Sequence, residues 1–111
     1  MGTELLIDAI ACDPARLRSR EALVSLFATI VRDLDLHPLA GAWHTFPEPG
    51  GGITGMLLLS ESHLTIHTFP ERGAAAINLY CCRRRPDWDW ETHLASALGA
   101  STVRVREAAR L

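Results

Sequence analysis

Leu59–Cys82 reads LSESHLTIHTFPERGAAAINLYCC. From Ser62 to Thr68 the residues alternate. His63, Thr65 and His67 fall on one side and Leu64 and Ile66 on the other, which is the period of a β-strand. Pro70–Gly73 (PERG) supplies a turn, and Ala74–Cys82 is a second, mostly apolar strand. The stretch therefore predicts a β-hairpin. Just upstream, Ile53–Leu59 (ITGMLLL) is a strand apolar enough to lie at or near the centre of a sheet.

Outward from the hairpin, Pro47–Gly52 (PEPGGG) holds two prolines and three glycines and predicts a turn or loop. Neither a Walker lysine nor GxGxxG accompanies it, so it is not read as a phosphate cradle. Residues 39–46, through Trp43 and Phe46, predict a second strand. Asp13-Pro14 is a good N-cap and first helical position. After it Leu23, Val24, Phe27, Ile30, Val31 and Leu34 recur every three or four residues, predicting one helix that ends near Asp35. Residues 4–11 (ELLIDAIA) predict an opening strand. On the C-terminal side Arg83–Trp90 (RRRPDWDW) is polar, and its Arg-Arg-Arg run reads as a solvated turn. Pro86 and either Asp87 or Asp89 are helix-start signals, Trp90, Leu94, Ala97 and Leu98 the buried stripe, and Gly99 the C-cap. Thr102–Arg106 alternates as a last, half-exposed strand. The order β-α-β-β-β-β-α-β predicts an α+β fold over a single domain, 1–111. It is a two-layer α/β sandwich, a mostly antiparallel sheet with two helices on one face.

A chain of 111 residues with a formal charge of −2 lacks the basic footprint of a nucleic-acid binder. No apolar run reaches the roughly 18–20 residues of a membrane span. The N-terminus has no basic residue before its apolar stretch, so no secretory signal is expected. Three cysteines, two of them adjacent, do not make a secreted disulfide framework. A cytoplasmic location is expected. All eleven basic residues are arginine. Without lysine the chain cannot hold pyridoxal phosphate as an internal Schiff base or use a lysine amine as nucleophile. Amine chemistry would need a carbonyl from elsewhere.

On residue types alone the hairpin leaves three readings open. His63 and His67 can be ordinary strand histidines. They can form a metal site with Cys81 or Cys82. They can be catalytic. Glu61-Ser62 fits neither GxSxG nor SxxK, and adjacent strand cysteines point their thiols to opposite faces.

The whole string is more specific than its parts. ESHLTIHTFPE (61–71) followed by AAINLYCC resembles the S-adenosylmethionine decarboxylase family in its short prokaryotic form. Cys12-Asp13-Pro14, WHTF at 43–46 and GGITG at 51–55 support the resemblance, which covers most of residues 5–82. It implies self-processing. Ser62 attacks the carbonyl of Glu61, the chain splits into a β chain (1–61) and an α chain (62–111), and Ser62 becomes a pyruvoyl group. That ketone would be the cofactor, with no metal, and would answer the missing lysine. The resemblance further implies Cys82 as proton donor in decarboxylation and His67, with Thr54, as processing residues. It implies Glu71 as the ribose ligand and Phe46 and Phe69 as faces for the adenine. Processed protomers would pair as a homodimer with active sites at or near the interface. The implied substrate is S-adenosylmethionine, converted to the aminopropyl donor of spermidine synthesis, with no nucleic-acid or membrane partner.

The chain departs from the family pattern in places. Thr54 stands for the usual serine and Phe69 for tryptophan. Asn78 stands for aspartate, and Cys81-Cys82-Arg83 for Thr-Cys-Gly. These positions shape the pocket, so a pyruvoyl-dependent ornithine or arginine decarboxylase is the alternative, although Glu71 favours a nucleoside. A non-catalytic regulatory partner and a metal-binding module are the alternatives from other classes.

Overall fold

Every strand expected from the sequence is present in the computed structural model, which describes all 111 residues. In chain order the elements are β1 (Thr3–Ile10), α1 (Pro14–Leu17), α2 (Arg20–Asp33), β2 (Pro38–Thr45), β3 (Ile53–Leu59), β4 (Ser62–Phe69), a 3₁₀ turn (Pro70–Arg72), β5 (Ala74–Cys81), α3 (Trp90–Leu98) and β6 (Thr102–Ala109). The six strands form one sheet in the order β2-β3-β4-β5-β1-β6. All neighbours are antiparallel. Strands β2 to β5 follow one another as a meander, and β1 enters between β5 and β6. The fold is the expected α+β sandwich.

Alternation decides which face is covered. Leu64 and Ile66 of β4, Ile77 and Leu79 of β5 and Ile7 of β1 are buried. They meet Leu23, Leu26, Phe27 and Ile30 of α2 and Trp90, Leu94 and Leu98 of α3 in a single core. Burying each large aliphatic side chain contributes about 1.5–3 kcal/mol. Thr68 belongs to the same face. Its buried hydroxyl donates to Leu17 O (2.8 Å) and accepts from Ile53 N (2.9 Å), tying β4 to α1 and β3. The opposite sheet face has no helix over it. Phe46, Met56, Leu58 and Phe69 remain 43–52% exposed there.

Two local expectations need correction. The single first helix is two: α1 closes at Arg18, and Ser19 caps a new helix by accepting from Ala22 N at 3.1 Å. Within α2, Leu26 lies in the core, whereas Val24, expected on the buried face, is 45% exposed. Of the expected α3 start signals, Asp89 is the cap: its carboxylate accepts from Thr92 N (3.1 Å) and from the Thr92 hydroxyl (2.7 Å), and Pro86 and Asp87 stay outside the helix. Gly99 closes it in the left-handed conformation, as expected. No helix is long and apolar enough to cross a membrane.

Candidate active site

The residues singled out above collect at the two ends of β4. At its start, a two-residue bend, Ser60-Glu61, joins β3 to β4, held by Ser60 N donating to His37 O at 2.9 Å. Ser62 is the first residue of the strand and points to the helix-covered side. It is buried, and its Oγ has no hydrogen-bond partner. A buried hydroxyl with no partner carries a desolvation cost, and such an exception asks for a chemical explanation. Across the ladder lies Cys81, on the same face. Burial pushes the Cys81 thiol above its ordinary value, so it stays protonated. Cys82, one residue further, is exposed. A cleft of about 600 Å³ beneath segment 83–91 reaches both cysteines and Arg83.

Glu61 carries the second feature of this end. Arg83 grips its carboxylate with two bonds, Nε to Oε2 and Nη2 to Oε1, both 2.5 Å. This fork holds the Glu61 carboxyl below the usual carboxylate range and raises Arg83 in return. The reading of Arg83 as solvated turn is therefore incomplete, because it is anchored to the residue before Ser62. Sequence offered only an indirect signal for this. If Ser62 opposes Cys81, the register brings the residues just before 62 near those just after 81.

The other end of β4 holds a different set. Register places Thr54 of β3 directly opposite His67, and Thr54 Oγ1 lies 3.0 Å from His67 Nδ1. Next to them on the uncovered face, His44 opposes Thr54 and meets Phe46 edge-on with ring centroids 4.6 Å apart. Phe69 ends β4. Glu71 follows in the 3₁₀ turn and is exposed, with its Oε2 4.0 Å from where a Cβ on Gly50 would sit. Arg18 Nε donates to Gly50 O (3.1 Å), and Phe46 N donates to Gly52 O (2.8 Å), so the 47–52 loop is moored beside Glu71.

Within one chain the two sets do not meet. Ser62 and His67 are an odd number of residues apart and so occupy opposite faces of the sheet. At about 3.3 Å per residue they also lie roughly 16 Å apart along the strand. Nor does a metal site form: no three His, Cys, Asp or Glu side chains converge in a way that could hold an ion. His63 stacks on Tyr80 at 5.7 Å, His67 engages Thr54, and Cys81 is on the other side of the sheet.

The family model for S-adenosylmethionine decarboxylase matches residues 3–111. The chain belongs to the S-adenosylmethionine decarboxylase family. Among its relatives is the S-adenosylmethionine decarboxylase proenzyme of Caldicellulosiruptor saccharolyticus, 31% identical over 99% of this chain and 88% of that protein. The proenzyme of Anoxybacillus flavithermus is 33% identical over 99% and 87%. The crystal structure of the adenosylmethionine decarboxylase from Aquifex aeolicus superposes with a TM-score of 0.78 over 97% of this chain and 88% of that one, at 24% identity. That likeness is one of fold. The family is one of pyruvoyl-dependent lyases. The departures from the family pattern have structural settings too. Asn78 donates to Glu4 Oε2 at 2.9 Å, and Thr54 supplies the hydroxyl beside His67.

Proposed function

We propose that this chain is a self-processing decarboxylase of S-adenosylmethionine, making the aminopropyl donor for spermidine synthesis from a pyruvoyl group derived from Ser62. The observation that carries the reading is the buried, unpartnered Ser62 hydroxyl, on the residue that directly follows Glu61 at the bend. That orphaned oxygen fits the group, because nothing else on the covered face competes for it.

In processing, Ser62 Oγ attacks the Glu61 carbonyl carbon, and the Ser62 nitrogen leaves it, turning the amide into an ester. Removal of the Ser62 Cα proton then expels Glu61 as a free carboxylate, ending the fragment 1–61. The dehydrated serine nitrogen is exchanged for water and departs as ammonia, which leaves the ketone at the head of 62–111. His67 is suited to move these protons, and Thr54 Oγ1, 3.0 Å from its Nδ1, orients its ring.

The pyruvoyl ketone supplies an electron sink for the pair released with carbon dioxide. Cys82, an exposed free thiol one residue beyond β5, would return a proton to the substrate carbon, the role the family resemblance implies. Glu71 makes no ion pair and is free to accept from ribose hydroxyls. Phe46 and Phe69 offer aromatic faces to the adenine and to a sulfonium, which gains by cation–π attraction. A free Glu71 favours the nucleoside substrate over ornithine or arginine.

Because Ser62 and His67 are too far apart in one chain, the working site needs a second copy. A homodimer of processed protomers would let the His67 end of one copy serve the Ser62 end of the other. The exposed Met56 and Leu58 supply apolar area for that contact. The thiol role of Cys82 suits a reducing cytoplasm.

Intact mass spectrometry of wild type and Ser62→Ala under denaturing conditions tests the reading. Expected are two fragments split at Glu61/Ser62 in wild type, a borohydride-reducible ketone on the second, and one uncut chain in the variant. Carbon dioxide release from S-adenosylmethionine, ornithine and arginine then ranks the substrates. A single uncut wild-type chain would overturn the proposal and leave the regulatory-partner reading.

A further inference from the structure

The two-pronged grip of Arg83 on Glu61 joins the two sides of the proposed cleavage point: Glu61 belongs to the fragment that leaves and Arg83 to the fragment that keeps Ser62. We infer that Arg83 is a positioning residue for self-processing, acting through the Glu61 side chain; the inference rests on the proposed cleavage at Glu61-Ser62.

The attack of Ser62 Oγ on the preceding carbonyl closes a five-membered ring of Oγ, Cβ, Cα, the amide nitrogen and the Glu61 carbonyl carbon. The bonds and the planar peptide are stiff. Only two soft torsions decide whether the oxygen reaches the carbon: Ser62 φ and Ser62 χ1. Burial among the core side chains restricts χ1. The torsion φ depends on where Glu61 stands relative to β4. The Glu61 backbone lies in a bend outside the ladder, whose β3–β4 pairing runs only from Thr54–His67 to Leu58–His63. No strand partner therefore fixes Glu61. The fork to Arg83 does so: both bonds are 2.5 Å, and the planar guanidinium matches the carboxylate edge to edge. Arg83 is itself anchored because it follows β5, whose Cys81 pairs with Ser62. The clamp thus closes a short loop through the ladder, with the scissile peptide inside it. Exposure of the pair, 65% for Arg83 and 37% for Glu61, argues against a mainly stabilising role.

The test follows self-cleavage by denaturing gel after a pulse of cell-free synthesis of the full chain. The variants are Arg83→Met, Glu61→Met, their double and the swapped pair Glu61→Arg/Arg83→Glu. Folding of each is checked by near-UV circular dichroism in the uncut Ser62→Ala background. Each single variant should slow cleavage roughly 10- to 100-fold, the scale at which misplacement costs a reaction. The double should be no slower than either single, and the swap should recover most of the rate. Arg83→Lys, which keeps the charge but loses the fork, should fall between. Cleavage of folded Arg83→Met at the wild-type rate, or a swap as slow as the singles, would overturn the inference while leaving the processing reading intact. A wild-type chain that never cuts would overturn both.

Discussion

Gly55→Ala tests the arrangement of β2 on β3 more sharply than any removal of a side chain. Gly55 lies opposite Trp43 in the β2–β3 ladder, on the helix-covered face. A Cβ at Gly55 would sit 2.3, 2.4 and 2.8 Å from three carbons of the Trp43 ring. Ordinary carbon contacts are about 3.5–4.0 Å, so the ring would have to retreat by roughly 1 Å or more. It has nowhere easy to go, since Phe27 packs against it at a centroid distance of 5.2 Å. Overpacking of this kind costs about 1–3 kcal/mol. Against it stands the gain from replacing a strand glycine whose φ is not positive, about 0.5–1 kcal/mol. The net expectation is a loss of ~1–2 kcal/mol, or several degrees in melting temperature at roughly 4–8 °C per kcal/mol for a domain near this size. The assay is urea unfolding at one protein concentration, in the uncut Ser62→Ala chain. With the ring removed by Trp43→Leu the clash is gone while the backbone gain remains. Gly55→Ala should then become neutral or stabilising by up to about 1 kcal/mol. Equal destabilisation with and without Trp43 would refute the placement of the ring over Gly55.

Three further outcomes follow from the same geometry. Thr54→Val removes the hydroxyl 3.0 Å from His67 Nδ1 and should slow self-cleavage about 10- to 100-fold, while Thr54→Ser stays near wild type; a gel time course separates them. The Asp33 carboxyl is held below its usual value by the Trp88 indole and by Arg32. Its contribution is therefore present above the unfolded pKa of about 3.9 and is lost as pH falls through the lower folded value. Melting temperature should drop on acidification below about pH 4, less steeply in Asp33→Asn, and identical slopes would show that the contact does not matter. Burial raises the Cys12 and Cys81 thiols. Iodoacetamide should accordingly label Cys82 first in the folded chain and reach the other two only on unfolding, as peptide mapping can show.

Much of the fold was legible because its signals are local. The alternation through Ser62–Thr68, the turn at 70–73, the Asp13 and Asp89 caps and the left-handed Gly99 all act within a few residues. The break between α1 and α2 was missed because the apolar spacing beyond Ser19 looked continuous with Asp13-Pro14. Only the capping role of Ser19 reveals two helices. The candidate site was drawn as a set of residues from a resemblance to a family, not from local pattern. The parity of positions 62 and 67 already placed them on opposite faces, a consequence that matters only once the strand is known to be straight and unbroken.

By itself the sequence determined which residues lie on which side of each strand, because side-chain direction follows from a two-residue period. It also determined the chemistry available, with no lysine amine and a serine following glutamate. Only the tertiary structure decided what those residues touch. Inter-strand register sets Thr54 against His67 and Trp43 over Gly55. The closure of the β4–β5 hairpin sets Arg83 on Glu61. Register and closure come from the summed burial of a whole sheet face against two helices, a non-local free energy that no short stretch encodes.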